Sequence, residues 1–534
     1  MSERPAIIQN PILPGFNPDP SLLRVGDDYY LATSTFEWFP GVQIHHSRDL
    51  VHWELVAHPL QRLSQLDMRG ETPSCGIWAP CLSYCDGTFY LIYTDVKNSR
   101  GLMNDTPNFL VTAPAITGPW SEPIFLNASG FDPSLFHDRD GRKWLINMLH
   151  DYRPYKNSFS GIVLQEYSEQ EQQLIGQRRV IFGGTSMGCT EGPHLYRHGE
   201  YYYLMCAEGG TGYAHGVTVA RSRTLFGPYE PDPNGPMLSS RHMPWAMLQK
   251  AGHASLVEGA NGHWYLAHLC ARPVGDKRRC ILGRETALQE VYFTDDGWLR
   301  MKNGTDYPAE KLALPIGGDS TPTGRNLLED FDGPFISSHL QSLREPLGSR
   351  ADLTARPGWL RLRGGQSLFS HYGVSLLAHR QQSFYCQAET RLSFAPDHFQ
   401  HLAGLTYFYD ELNHISLAVT RHETLGRVLT MIRTRQGESD LPLGAGIPLP
   451  EEGDVRLQVC TRKETAHFFY AVRPGPLTAI GPELDATLLS DDAYEEIGQM
   501  RFTGAFLGIF CIDLDRYEKA ADFAYFSYSE TEGL

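Results

Sequence analysis

Nowhere in its 534 residues does the sequence hold 18 consecutive apolar residues, so a membrane-spanning helix is not expected. A CxxC pair is also missing. The ten cysteines are scattered from Cys75 to Cys511, and Cys81 and Cys85, four apart, have no second Cys/His pair at zinc spacing. They read as free thiols in a reducing compartment. Basic residues are few, 46 against 62 acidic ones, for a net charge of −16. That speaks against a sequence-independent nucleic-acid binder, which needs a basic surface. No apolar run follows the N-terminal Met1-Ser-Glu-Arg4, so no secretory signal is expected and the cytoplasm is the expected location. Helical 3.6-residue periodicity is hard to find over the first 315 residues. What is abundant is turn formers, 51 Gly and 35 Pro, with aromatics at 11%, too many for a disordered chain.

Five segments share one pattern: Asp19-Pro-Ser-Leu…Tyr30-Leu31, Ala79-Pro-Cys-Leu…Tyr90-Leu91, Asp132-Pro-Ser-Leu…Trp144-Leu145, Glu191-Gly-Pro-His-Leu…Tyr203-Leu204 and His253-Ala-Ser-Leu…Tyr265-Leu266. Each reads as a hairpin: a short apolar strand, a Gly/Asp turn, then an aromatic–Leu pair. A second echo follows in Ser47-Arg-Asp-Leu-Val-His-Trp53, Ala115-Ile-Thr-Gly-Pro-Trp120 and Ser222-Arg-Thr-Leu-Phe-Gly-Pro-Tyr229, read as outer strands of the same units. Units of roughly 50–60 residues with four short strands are propeller blades, so residues 1–315 are expected to form a five-bladed β-propeller. A linker is expected over 316–326. Alternating segments from Leu327 onward, among them Ser383–Leu392, Leu405–Tyr409 and Val455–Val459, predict a second, all-β sandwich domain over 327–534.

The repeat register predicts a site. Equivalent positions on innermost strands converge on a propeller axis, so Asp19, Ala79, Asp132, Glu191 and His253 are expected to meet there. Three carboxylates facing one another raise each other's pKa, an arrangement stability alone seldom selects. Taken singly, an Asp before Pro-Ser serves equally well as a turn residue. Paired carboxylates with separated pKa values are the apparatus of glycoside hydrolysis. Phe36, Trp38, Phe39 and Trp78 suit stacking on a sugar face, or ordinary blade packing. Arg284, in Leu282-Gly-Arg-Glu-Thr286, is placed to hold a carboxylate or a sugar hydroxyl. His45-His46 is not a metal pair, because adjacent strand residues point to opposite faces. Glu208, Asp95 and Glu285 are rival carboxylates outside the register.

The stretch NPILPGFNPDPS…YYLATSTFEWFPGVQIHHSRDLVHW, followed in order by GIWAP, GFDPSLF, TEGPHLY, AEGGT, AGHASLV, LGRET and FTGAFLGIFCIDLD, resembles glycoside hydrolase family 43, in particular its two-domain β-xylosidases. The resemblance implies a five-bladed propeller that inverts anomeric configuration. It implies Asp19 as general base, Glu191 as general acid and Asp132 as the residue that tunes and orients the acid. Phe36, Trp78, Thr211, His253 and Arg284 would line the sugar subsites. The sandwich would contribute an aromatic to the pocket mouth, with Phe506 as the match and Phe502 as runner-up. Many members have Asp where this chain has Cys81. No cofactor is required by this reading, although related arabinan-degrading members hold a calcium ion near the His equivalent to His253.

The expected function is therefore an inverting exo-β-1,4-xylosidase acting on short xylo-oligosaccharides, with α-L-arabinofuranosidase as side activity or as the nearest alternative. A non-catalytic sugar-binding propeller and a protein-interaction propeller are the other readings; crowded acids speak against both. No nucleic-acid or membrane partner is expected. The sequence leaves open whether the chain forms a homo-oligomer.

Overall fold

The computed structural model describes the backbone of residues 5–317, 325–472 and 475–531. It divides into two compact units, residues 1–272 with 284–322, and 273–283 with 323–534. The first holds five sheets, each an antiparallel meander of four strands. Blade 1 comprises Ser21–Val25, Asp28–Thr33, Gln43–Ser47 and Glu54–Ala57, and blade 2 Gly76–Cys85, Thr88–Val96, Asn108–Ala113 and Ile124–Asn127. Blade 3 comprises Ser134–His137, Lys143–His150, Phe159–Ser168 and Gln173–Phe182. Blade 4 runs Glu191–His198, Tyr201–Glu208, Gly216–Ser222 and Glu230–Pro231, with Leu238–Ser239 also against its third strand. Blade 5 runs Gln249–Glu258, Trp264–Ala271, Glu285–Phe293 and Leu299–Met301. The unit is a five-blade β-propeller.

The repeated leucines set the register. Leu22, Leu82, Leu135, Leu195 and Leu256 stand directly opposite Leu31, Leu91, Leu145, Leu204 and Leu266. Three of the leucine amides also stitch one blade to the next. Leu22 N donates to Ser255 Oγ at 2.7 Å, Leu82 N to Ser21 Oγ at 3.0 Å and Leu256 N to the Tyr196 hydroxyl at 2.8 Å. Blade 2 carries Cys81 at the position where blades 1, 3 and 5 carry Ser. Between blades 3 and 4 the Ser134 hydroxyl donates to Pro193 O at 2.6 Å. The Ser of the repeat is thus a seam residue: Ser21 and Ser255 accept inner-strand amides, and Ser134 donates to a carbonyl of the next blade.

The segments expected as outer strands are instead the connectors between third and fourth strands. In each, an aromatic ring folds back to donate to a carbonyl: Trp53 Nε1 to Leu50 O at 3.1 Å, Trp120 Nε1 to Ile116 O at 3.2 Å and Tyr229 OH to Leu225 O at 3.0 Å. The repeated aromatic is a turn lock, and period-2 patterning does not apply to it.

The ring is closed by the N-terminal segment. Pro5–Gln9 pairs antiparallel with Lys311–Gly317, two residues past the boundary expected at 315. The Asn10 amide then bonds Leu288 in both directions, Leu13 and Thr286 exchange backbone hydrogen bonds, and Asn17 N donates to Arg284 O at 2.9 Å. This lays the approach to blade 1 along blade 5 and delivers Asp19 beside Arg284. Of the expected linker, residues 318–324 lie outside the described residues.

The second unit is a sandwich of two antiparallel sheets. One is built around Tyr385–Ser393, Val455–Arg462 and Ala520–Glu530, the other around His401–Asp410, Asn413–His422, Gly426–Arg435 and Phe506–Asp513. Alternate residues face inward: Val455, Leu457 and Val459 from one sheet, Leu405, Tyr407 and Tyr409 from the other. Pro273–Gly283, expected within the propeller, belongs to this unit, where Cys280 N donates to Asp492 Oδ2 at 2.7 Å and Arg279 pairs with Glu496 at 2.8 Å.

Candidate active site

Blades 1, 2, 3 and 5 each carry a left-handed residue, ahead of the inner strand in blades 1 and 3 and at a bulge within it in blades 2 and 5: Asp19 at φ 55°, Ala79 at 38°, Asp132 at 56° and His253 at 39°. Left-handed backbone costs a non-glycine residue on the order of 1–2 kcal/mol and gathers at functional sites. In blade 4 the left-handed residue is Gly192, at φ 55°. It lies three before the paired leucine, as in the other blades, so Glu191 sits one residue ahead of the register expected for it. The Gly-Pro of Glu191-Gly-Pro-His adds the extra residue, and the strand accommodates it as a bulge between Glu191 and His194. Glycine is favoured at 192: a Cβ there would lie 3.0–3.2 Å from three atoms of the His253 ring, which would have to give by a few tenths of an ångström. Gly192→Ala is therefore expected to displace either His253 or Glu191. It should lower kcat/KM by on the order of 10–10²-fold, the scale of an ångström-sized misplacement. A full kinetic comparison with the parent checks this, and unaltered kcat/KM would contradict the packing.

The structure brings Asp19, Asp132, Glu191, His253, Arg284 and Thr211 together. Asp19 and Asp132 are 6% and 7% exposed, whereas Glu191 keeps a partly open side. The Ser34 hydroxyl donates to Asp19 Oδ2 at 2.7 Å and itself accepts Ala79 N at 2.8 Å, so the blade 2 residue acts through its backbone. Arg284 Nη1 reaches Asp19 Oδ1 at 3.3 Å and Thr211 Oγ1 at 3.0 Å. His253 Nδ1 lies 3.8 Å from Asp19 Oδ1. Asp132 Oδ2 accepts Gly192 N at 3.0 Å, which ties it to the peptide next to Glu191.

These surroundings separate the acids. Burial, then the Asp132 and Asp19 charges, push the Glu191 carboxyl well above its ordinary value, against the opposing pull of Arg284. Asp132 is pushed up to about 6 by burial and Asp19, with His253, Gly192 N and Arg284 pulling it down. The surroundings of Glu191 thus favour its proton, while Asp19 accepts from Ser34 and Arg284.

Phe36 and Trp78 belong to a run of rings, with Phe16–Phe36, Phe36–Trp78 and Trp78–Phe131 centroids 5.6, 5.8 and 5.4 Å apart. The Arg284 guanidinium lies 5.2 Å over Phe36. Phe39 packs in the blade core with Leu60 and Ile77, apart from this run of rings, and Trp38 has no exposed surface. Of the rival carboxylates, Glu285 is clamped by Arg272 through two bonds of 2.7 Å, and Asp95 is paired with Lys97 at 2.7 Å. Phe506 and Phe502 belong to the second unit. Phe506 is buried on the sheet face opposite the sandwich core, and Phe502 is partly exposed.

Ser34, Phe16 and Phe131 were not singled out from the sequence. Phe131 precedes Asp132 in the repeat and was findable there; Ser34 has no repeat partner to mark it.

A calcium ion beside His253 would take oxygen ligands, and Asp19, 3.8 Å from the His253 Nδ1, is already held by Ser34 and Arg284. Among the described residues, one set of three ligand atoms lies within 4.8 Å, on His398, His401 and Asp515 of the second unit. The Nδ1 atoms of both histidines accept backbone amides, from Gln400 at 3.3 Å and Asp397 at 3.2 Å, which leaves the ring protons on Nε2. That tautomer speaks against metal ligation.

A buried carboxyl whose surroundings favour its proton, grouped with a second acid held by Ser34 and Arg284 and with a run of aromatic rings in a propeller, is the arrangement of a sugar-cleaving acid–base hydrolase. Residues 8–299 match the model "Glycosyl hydrolases family 43", and residues 328–529 match "Beta xylosidase C-terminal Concanavalin A-like domain". The chain belongs to glycosyl hydrolase family 43. It is 48% identical to a beta-xylosidase of Bacillus subtilis, covering 98% of this chain and 99% of that one. It is 49% identical to "Xylosidase/arabinosidase 43B" of Humicola insolens, covering 98% and 97%. The crystal structure of xylan beta-1,4-xylosidase from Bacillus halodurans superposes with a TM-score of 0.95 at 54% identity, covering 98% of this chain and all of that one.

Proposed function

We propose that the protein is an inverting exo-acting β-1,4-xylosidase that releases xylose from short xylo-oligosaccharides, with α-L-arabinofuranosidase side activity. The observation that carries this is the environment of Glu191, where burial and the Asp132 and Asp19 charges favour the proton, together with an Asp19 that accepts from Ser34 and Arg284. Asp19 takes a proton from a water, which attacks the anomeric carbon. Glu191 gives its proton to the leaving oxygen as the glycosidic bond breaks. Asp132, through Gly192 N, positions the acid. Solvent proton exchange then returns Asp19 to carboxylate and Glu191 to acid. The xylosidase and xylosidase/arabinosidase relatives support the substrate class, and the second supports the side activity. The ten cysteines are all free thiols, which supports a cytoplasmic location.

Proton NMR of early turnover tests the stereochemistry. A β-xyloside should release α-xylose first, mutarotating to β afterwards. Appearance of β-xylose first, or isolation of a glycosylated Asp19, would reject water activation by Asp19. Release of nitrophenol from the β-xyloside and the α-L-arabinofuranoside in parallel measures the ratio of the two activities.

A further inference from the structure

A buried carboxylate outside the acid–base trio has an arrangement that structure maintenance alone does not call for. Glu208 ends the second strand of blade 4 and has no exposed surface. Its Oε1 accepts Thr185 N at 2.7 Å and Thr190 Oγ1 at 2.6 Å, and its Oε2 accepts the Thr185 hydroxyl. One carboxylate thus grips both ends of the segment 185–190, whose last residue precedes Glu191. Gly209 N adds a bond to Gly188 O at 2.8 Å. The grip is close: a Cβ on Gly184 would lie 2.0 Å from Thr190 Oγ1 and 3.0 Å from Glu208 Oε1.

We infer that Glu208 is a positioning residue for the general acid: it fixes the 185–190 loop so that the Glu191 carboxyl meets the glycosidic oxygen. The inference rests on the reading of Glu191 as acid. Glu208 does not set the Glu191 proton by charge, since the charges that act on Glu191 are those of Asp132, Asp19 and Arg284. It acts by geometry. Neither of the two threonines could hold the loop alone, because a hydroxyl satisfied by water frees the chain, whereas a buried carboxylate deprived of its donors carries a large desolvation cost. The clamp therefore has a strong preference for one loop position.

The consequence is selective. Departure of a sugar needs a well-placed acid, whereas departure of dinitrophenolate needs little protonation. Glu208→Gln should lower kcat on xylobiose by on the order of 10–10²-fold, the scale of a small misplacement. It should leave kcat on 2,4-dinitrophenyl β-xyloside within about 2-fold, the rate being then independent of the acid. The alkaline limb of the xylobiose pH profile should move to lower pH, because a loosened loop admits water to Glu191 and relieves the burial that raises it. Thr190→Val and Thr185→Val remove one bond each and should shift the same ratio in the same direction by less; they decide the matter if Glu208→Gln does not fold. Glu191→Gln, assayed on the same two substrates, separates the levels of the argument. If Glu191→Gln shows no bias toward the dinitrophenyl substrate, the acid assignment fails and the inference fails with it. If Glu191→Gln shows the bias and the Glu208 and threonine variants lose activity equally on both substrates, or not at all, only the positioning role is overturned.

Discussion

Asp19→Asn is expected to lower kcat on xylobiose and on dinitrophenyl β-xyloside alike, by on the order of 10²–10⁴-fold, the worth of a general base. Both substrates need an activated water, so a good leaving group offers no relief. The amide is close in shape to the carboxylate, and Asn tolerates the left-handed backbone that Asp19 adopts at φ 55°. The fold should therefore persist, and thermal unfolding should show no large loss. One electrostatic consequence follows. The Asp19 charge helps to raise both Asp132 and Glu191, so removing it should let Glu191 ionise more readily. Whatever activity remains should lose its alkaline limb at lower pH than the parent. Asp19→Ala opens space for an added anion; azide should restore turnover of the dinitrophenyl substrate and yield the α-xylosyl azide. Activity within tenfold of the parent in Asp19→Asn would remove Asp19 from the base role.

Much of the propeller was legible because one side chain per blade repeats for a geometric reason. Each of the five leucines stands opposite another leucine across a hairpin, so their spacing fixes turn length and register together. The same register leads to Asp19, Asp132 and His253, which share a left-handed backbone three residues before the paired leucine. It misplaced Glu191 by one, because periodicity cannot tell a residue in register from one ahead of a bulge. A bulge is visible only in backbone angles, and Gly192 is its sign in the sequence. The aromatics divide by their neighbours, which composition does not encode: Phe36 and Trp78 join the ring run, whereas Phe39, no more buried than Phe36, packs in the blade core. The membership of Pro273–Gly283 in the second unit is hidden from the sequence for a related reason. Its partners Thr487, Asp492 and Glu496 lie more than 200 residues away, and no local pattern announces a contact at that distance. Glu208 was set aside as lying outside the register; its meaning is in the loop it holds.

Glu191 should show the opposite substrate pattern to Asp19. Glu191→Gln is expected to lower kcat on xylobiose by on the order of 10²–10⁴-fold while costing far less on the dinitrophenyl substrate, which departs without help. The pH dependence gives a second, independent signature. Burial and two neighbouring carboxylates hold Glu191 well above its ordinary value of 4.5, so the acid form persists to higher pH, and kcat/KM on xylobiose falls on the alkaline side as that proton is lost. In Glu191→Gln this limb should vanish. Stability should move the other way. A carboxyl whose folded pKa is raised binds more protons in the folded than in the unfolded chain, so its contribution is fully favourable below the ordinary value and declines as pH rises toward the raised one. At neutral and alkaline pH the parent therefore carries the cost of a buried, crowded acid that the amide does not. Glu191→Gln should unfold at the same or a higher temperature than the parent at pH 8, and this advantage should shrink as the pH is lowered through the ordinary carboxylate range. Melting curves at pH 4, 6 and 8, set beside the two substrate assays, test both halves. A parent that loses activity equally on both substrates when Glu191 is replaced, with no change in the alkaline limb, would mean that another group protonates the leaving sugar.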